Sequence, residues 1–65
     1  MHVLINQIAY ELDAPASLAD ALLLAQARPP FAAAVNLQFV PNHLYAATEL
    51  HAGDEIEIIS PITGG

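Results

Sequence analysis

Few side chains in this sequence are placed to do chemistry. The available hydroxyl nucleophiles are Ser17, Ser60, Thr48 and Thr63 with Tyr10 and Tyr45, and none lies in a motif that supplies an activating base. His2, His43 and His51 fall in separate segments without metal-ligand spacing, which makes them surface or turn histidines before it makes them ligands. Glu55 and Glu57 share a strand face at period two and could mimic a carboxylate pair, but a solvated sheet face accounts for them better. No glycine-rich loop precedes a helical pattern, so no phosphate cradle is offered. What remains is the end of the chain, SPITGG, closed by Gly64 and Gly65. A terminal α-carboxylate is ionised at neutral pH and is a poor electrophile until an enzyme converts it, with ATP, to an acyl adenylate. To enter a narrow active site it needs a thin stalk, and Gly-Gly is the thinnest that a peptide can provide. Six extended residues reach roughly 20 Å, enough to cross a partner's cleft while a domain docks outside. A frayed terminus also explains two final glycines. On these residues alone both readings stand.

Charge and composition narrow the partners. Seven acidic residues face one cation, Arg28, for a formal net charge of −6, and there is no lysine. Such a chain is repelled by phosphate backbones and by anionic membranes, so neither nucleic acid nor a membrane is an expected partner. A basic protein surface is, although simple solubilisation explains the same charge. Four of the acids, Glu49, Asp54, Glu55 and Glu57, lie in or near the last predicted strand. Hydrophobic residues make up 55% of the chain, which suits a small core and excludes a disordered acidic tail. The absence of cysteine removes any disulfide framework or thiolate metal site. The opening MHVLINQ has no basic n-region, and the apolar runs ALLLA and FAAAV are too short to span a bilayer. These features together lead us to expect a cytoplasmic location.

The patterns that must position the terminus run as follows. Residues 2–6 and 8–12 read as two strands of a hairpin, with Ile8, Tyr10 and Leu12 on one face. Ser17, with Asp20 three residues later, is a capping-box start for a helix carrying Leu18, Ala21, Leu22 and Ala25 on one stripe. Pro29-Pro30 cannot continue that helix, so it is expected to end near Ala27 or Arg28. Phe31, Ala33 and Val35 alternate in a third strand, NLQFVP turns into a short edge strand closed by Pro41, and NHLYAATEL is irregular or one helical turn. AGD signals a turn into a last strand, EIEIIS, with Ile56 and Ile58 facing inward. The order β-β-α-β-β-β predicts an α+β domain over 1–60, one sheet with a single helix across one face, and a flexible tail at 61–65. Val3, Ile5, Tyr10, Leu12, Leu22, Val35, Ile56 and Ile58 are its expected core.

Several stretches resemble the ThiS family, the sulfur carrier proteins of thiamine biosynthesis, which have the ubiquitin-like β-grasp fold with one mixed sheet. VNLQFVP is similar to the family's Val-Asn-Gly-x-x-Val-Pro through Val35, Asn36, Val40 and Pro41. YAATELHAGDEIEII is similar to its segment ending Gly-Asp-x-x-Glu-Ile through Gly53, Asp54, Glu57 and Ile58, and Gly64-Gly65 completes the pattern. The resemblance implies that the chain is not itself an enzyme and binds no cofactor. An adenylating enzyme of the ubiquitin-activating type would use ATP on Gly65, a sulfur-relay protein would supply a persulfide sulfur, and the resulting thiocarboxylate would serve thiazole synthase. One departure is visible. Where the family commonly has Asn-Gly turns, this chain has Asn6-Gln7 and Asn36-Leu37, and leucine suits a tight hairpin poorly, so the turn type at Asn36-Leu37 stays open; a longer loop would remove the conflict.

Alternation also places Leu4 and Ile59 on the sheet face away from the helix, and Leu37 is apolar at a turn. Leu4, Ile59 and Leu37 are therefore the expected partner-binding residues, flanked by acids; incidental exposure is the rival explanation. The small subunit of molybdopterin synthase shares the terminal Gly-Gly and its chemistry. Other sulfur carriers, a ubiquitin-like modifier and a plain binding module complete the alternatives.

Overall fold

Both hairpins of the chain close on two residues at positive φ: Asn6 (50°) with Gln7 (69°), and Asn36 (51°) with Leu37 (70°). Positive φ at both central positions is what a type I′ turn demands, because its twist matches that of the flanking strands. The register leaves no room for anything longer, since Ile5 pairs with Ile8 and Val35 with Gln38. The turn type left open at Asn36-Leu37 is therefore the tight two-residue one, without a longer loop. Asparagine tolerates the left-handed region, and tertiary bonds hold the tight turn despite leucine: Asn36 Oδ1 accepts the Glu55 N–H at 3.0 Å, and its Nδ2 donates to Asp54 Oδ1 at 3.1 Å.

The computed structural model describes residues 1–60. Strands β1 (His2–Ile5) and β2 (Ile8–Glu11) form the first hairpin, and helix α1 (Leu18–Leu24) follows. Strands β3 (Ala32–Val35) and β4 (Gln38–Val40) form the second hairpin, a 3-10 turn spans Asn42–Leu44, and β5 (Glu55–Ile59) comes last. The sheet order is β2-β1-β5-β3-β4. The last strand lies in the middle, parallel to β1 and antiparallel to β3. This five-stranded mixed sheet with one helix is a β-grasp fold.

Ser17 and Asp20 cap α1 reciprocally: the Asp20 N–H donates to Ser17 Oγ at 3.2 Å, and the Ser17 N–H donates to Asp20 Oδ2 at 2.9 Å. The crossover segment takes the next two amides, Leu18 N–H to Thr48 O at 2.8 Å and Ala19 N–H to Tyr45 O at 3.1 Å. The helix ends at Leu24, about a turn before the prolines require. Gln26 (φ 59°) makes the reversal, donating to Leu23 O, while the Ala27 N–H reaches Leu22 O, both at 3.0 Å. That is a Schellman ending with glutamine in the position where glycine is usual, so no local residue type signals the stop.

Val3, Ile5, Leu22 and Ile56 are buried as expected, with Tyr10, Leu12, Val35 and Ile58 packed against them. Leu18, Ala21, Ala33, Val40 and Leu50 complete the core. Leu50, only 3% exposed, belongs to no expected element. It is fixed by its N–H donating to Ala16 O at 2.9 Å beside the bridge between Ser17 and Glu49, and this pins the crossover segment over the helix start. Tyr45 stacks on Phe31 with centroids 5.9 Å apart. Gly53 (φ 88°) turns the chain into β5, its N–H donating to His2 O at 2.7 Å.

Candidate functional site

The residues singled out for chemistry, Gly64 and Gly65, lie outside the described residues, as does the rest of the expected tail, 61–65. The structure does describe the base from which they are reached. Their segment continues from β5, the central strand, which is held on both sides: Ala32 to Val35 of β3 pair with Ile59 to Ile56, and Leu4 and Ile5 of β1 pair with Glu55 and Ile56. β5 itself is therefore fastened between two neighbouring strands.

Because Ile56 and Ile58 face the core, Glu55, Glu57 and Ile59 face the other way. The same alternation puts Leu4 of β1, Ala9 and Glu11 of β2, Ala32 and Ala34 of β3, and Phe39 of β4 on that uncovered face. Ile59 is 55% exposed and Leu4 is half-buried. Phe39, 67% exposed, was not among the expected docking residues. Its signal was present: Val40 precedes Pro41 as an inward residue, so the residue before it must face outward. The register sets Phe39 against Ala34 and Ile59 against Ala32, so two small residues leave Phe39 and Ile59 raised above a low floor. A shallow groove where the first hairpin turn meets β5 is lined by Leu4, Asn6, Gln7, Glu55, Ile56 and Glu57. The face thus mixes apolar side chains with carboxylates. Glu11 is the one engaged, with His2 Nδ1 at 2.8 Å and the Met1 amine at 3.6 Å.

Leu37 sits apart, at the tip of the second hairpin, near the start of β5 rather than its end. It is 87% exposed at φ 70°. A leucine in the left-handed region costs about 1–2 kcal/mol, and the fold recovers none of it through packing. Leu37→Gly is accordingly expected to stabilise the protein by about 0.5–1 kcal/mol, since glycine's greater unfolded-state entropy cancels part of the relieved strain. A thermal melt checks this: Tm should rise by a few degrees, and an unchanged or lower Tm would show the turn to be unstrained.

The histidines are scattered. His2 is on β1, His43 on the 3-10 turn, and His51 lies between Glu49 (3.6 Å) and Asp54 (4.0 Å). Among the described residues no group of three histidine, cysteine or acidic side chains could hold a metal ion, and no helix is long and apolar enough to cross a membrane.

The model of the ThiS family matches residues 3–65, nearly the whole chain and including the terminal glycines. The chain belongs to the ThiS family. Its fold is also that of a solved relative: the crystal structure of the thiamine biosynthesis protein ThiS from Geobacter metallireducens superposes with a TM-score of 0.80, covering 100% of each chain at 17% identity. No curated protein sequence matches the chain. At 17% identity the shared feature is architecture. In this ThiS-family chain β5 is the central strand of that architecture, and the mixed apolar and acidic face lies on the side of the sheet away from the core.

Proposed function

We propose that this chain is the sulfur carrier for thiazole formation in thiamine biosynthesis, working in the cytoplasm as a co-substrate of partner enzymes rather than as an enzyme. The observation that carries the reading is the family match running through Gly64-Gly65. An adenylating enzyme of the ubiquitin-activating type uses ATP to convert the Gly65 carboxylate to an acyl adenylate with release of pyrophosphate. The outer sulfur of a persulfide on a relay protein then displaces AMP to give an acyl disulfide. A second thiol on the protein side cleaves its S–S bond, becoming part of a protein disulfide and releasing the thiocarboxylate. That group is an anionic sulfur nucleophile, and its acyl carbon returns to a carboxylate once thiazole synthase has taken the sulfur. Gly64 has no side chain to obstruct passage through a narrow channel.

Docking falls to the open sheet face. Leu4, Ile59 and Phe39 supply the apolar contacts, Leu37 a further contact at the hairpin tip, and Glu55 and Glu57 steer approach to a basic partner surface. Leu4→Glu or Ile59→Glu is expected to weaken binding of the adenylating enzyme by about 1–4 kcal/mol, the scale of interface hot spots. Tm should scarcely change, because neither side chain belongs to the buried core. Titration calorimetry on both variants checks the surface; wild-type affinity in the two of them would dismiss it.

Deleting the gene in its own organism tests the pathway. Growth should come to depend on supplied thiamine or its thiazole moiety. Growth that is unaffected, or restored only by another sulfur-containing product, would reassign the carrier.

A further inference from the structure

The first hairpin does more than reverse the chain. The Asn6 N–H donates to Ile56 O at 2.9 Å, continuing the ladder between β1 and β5. Its side chain then extends that ladder where β1 itself has turned away. Asn6 Oδ1 accepts the Ile58 N–H at 2.8 Å, and Nδ2 donates to Ile58 O at 3.3 Å. One primary amide thus stands in for the peptide group of a missing strand residue and satisfies both backbone groups of Ile58 on that side. Beyond Ile58 only two described residues remain, Ile59 and Ser60. Ile59 is held from the other side by its pairing with Ala32.

We propose that Asn6 is a positioning residue for the C-terminal carboxylate: its amide fastens β5 at Ile58 and so fixes the point from which the last residues depart toward a partner's active site. This rests on the proposed carrier function. The physical effect is on effective concentration. With the fastening in place the segment between anchor and Gly65 is short. When it is lost, β5 opens on the β1 side back to Ile56, and Gly65 is delivered from a longer and less directed leash. The fold supplies its own control, because Asn36 makes the matching pair of side-chain bonds at the other end of β5, to Glu55 N–H and Asp54 Oδ1. A purely structural role would make the two asparagines equivalent.

The test compares Asn6→Gly with Asn36→Gly. Glycine is at ease at positive φ, so each turn survives and only the amide is lost. With the partner adenylating enzyme and ATP, Asn6→Gly should lower kcat for adenylation severalfold, and Asn36→Gly should leave kcat at the wild-type value. In the free protein, amide exchange at Ile58 should quicken about tenfold in Asn6→Gly, the equivalent of roughly 1.4 kcal/mol or one net hydrogen bond. Asn6→Asp, which keeps an acceptor for the Ile58 N–H, should recover part of both effects. Equal kcat losses in the two glycine variants, wild-type kcat in Asn6→Gly, or unaltered exchange at Ile58 would each overturn the inference while leaving the carrier function intact. A wild-type chain that is not adenylated would overturn the carrier function, and the inference with it.

Discussion

Adding one residue after Gly65 is expected to slow adenylation by about a hundredfold while leaving the melting temperature unchanged. The extended chain still ends in a carboxylate on an identical domain, so the only change is where that carboxylate lies. One residue moves it by roughly 3.5 Å, and a misplacement of about 1 Å at a reacting centre is enough for a loss on the order of 10²-fold. Gly64→Ala should act in the same direction by placing a methyl group on the stalk. Pyrophosphate release with the adenylating enzyme and ATP measures both. If the extended chain is activated at the normal rate, the position of the carboxylate is immaterial and the stalk has no role.

Ile56→Ala should have the largest effect on the fold, destabilising it by about 2–5 kcal/mol. Ile56 is 1% exposed, sits on the central strand and is paired on both sides, with Ile5 in β1 and Val35 in β3. The cavity would open beneath the strand that carries the functional terminus. A domain of this size has at most about 5–15 kcal/mol in total, and each kilocalorie shifts Tm by roughly 4–8 °C. Melting should therefore fall by tens of degrees. Ile59→Ala, on the open face of the same strand, should change Tm by only a few degrees. Comparable losses in the two would mean that the inward and outward faces of β5 are not as described.

The elements legible in the sequence were those written in local patterns. Period two marked β5 and placed Ile56 inward, and the Ser17/Asp20 spacing marked the helix start to the residue. What escaped had its cause elsewhere in the chain. The helix end was hidden because Gln26 takes the left-handed position that usually announces itself as glycine. The tight turn at Asn36-Leu37 looked improbable because its stabilising partners, Asp54 and Glu55, are eighteen and nineteen residues away. Leu50 lay in a stretch with no period, and only its bond to Ala16 reveals why it is buried. The functional surface was half visible. Leu4 and Ile59 follow from alternation, and Phe39 follows from the same alternation within the expected edge strand once Val40 is set inward. The amide of Asn6 was out of reach altogether, since its partner Ile58 is fifty-two positions distant.

The most direct test of the carrier function is the intact mass of the chain purified from cells that also make its adenylating enzyme and sulfur donor. The predicted species is heavier by the exchange of one oxygen for one sulfur, with the exchange confined to Gly65 and absent when that residue is deleted. An unmodified mass in the presence of an active partner and ATP, or a chain recovered only as an amide conjugate to another protein, would contradict it.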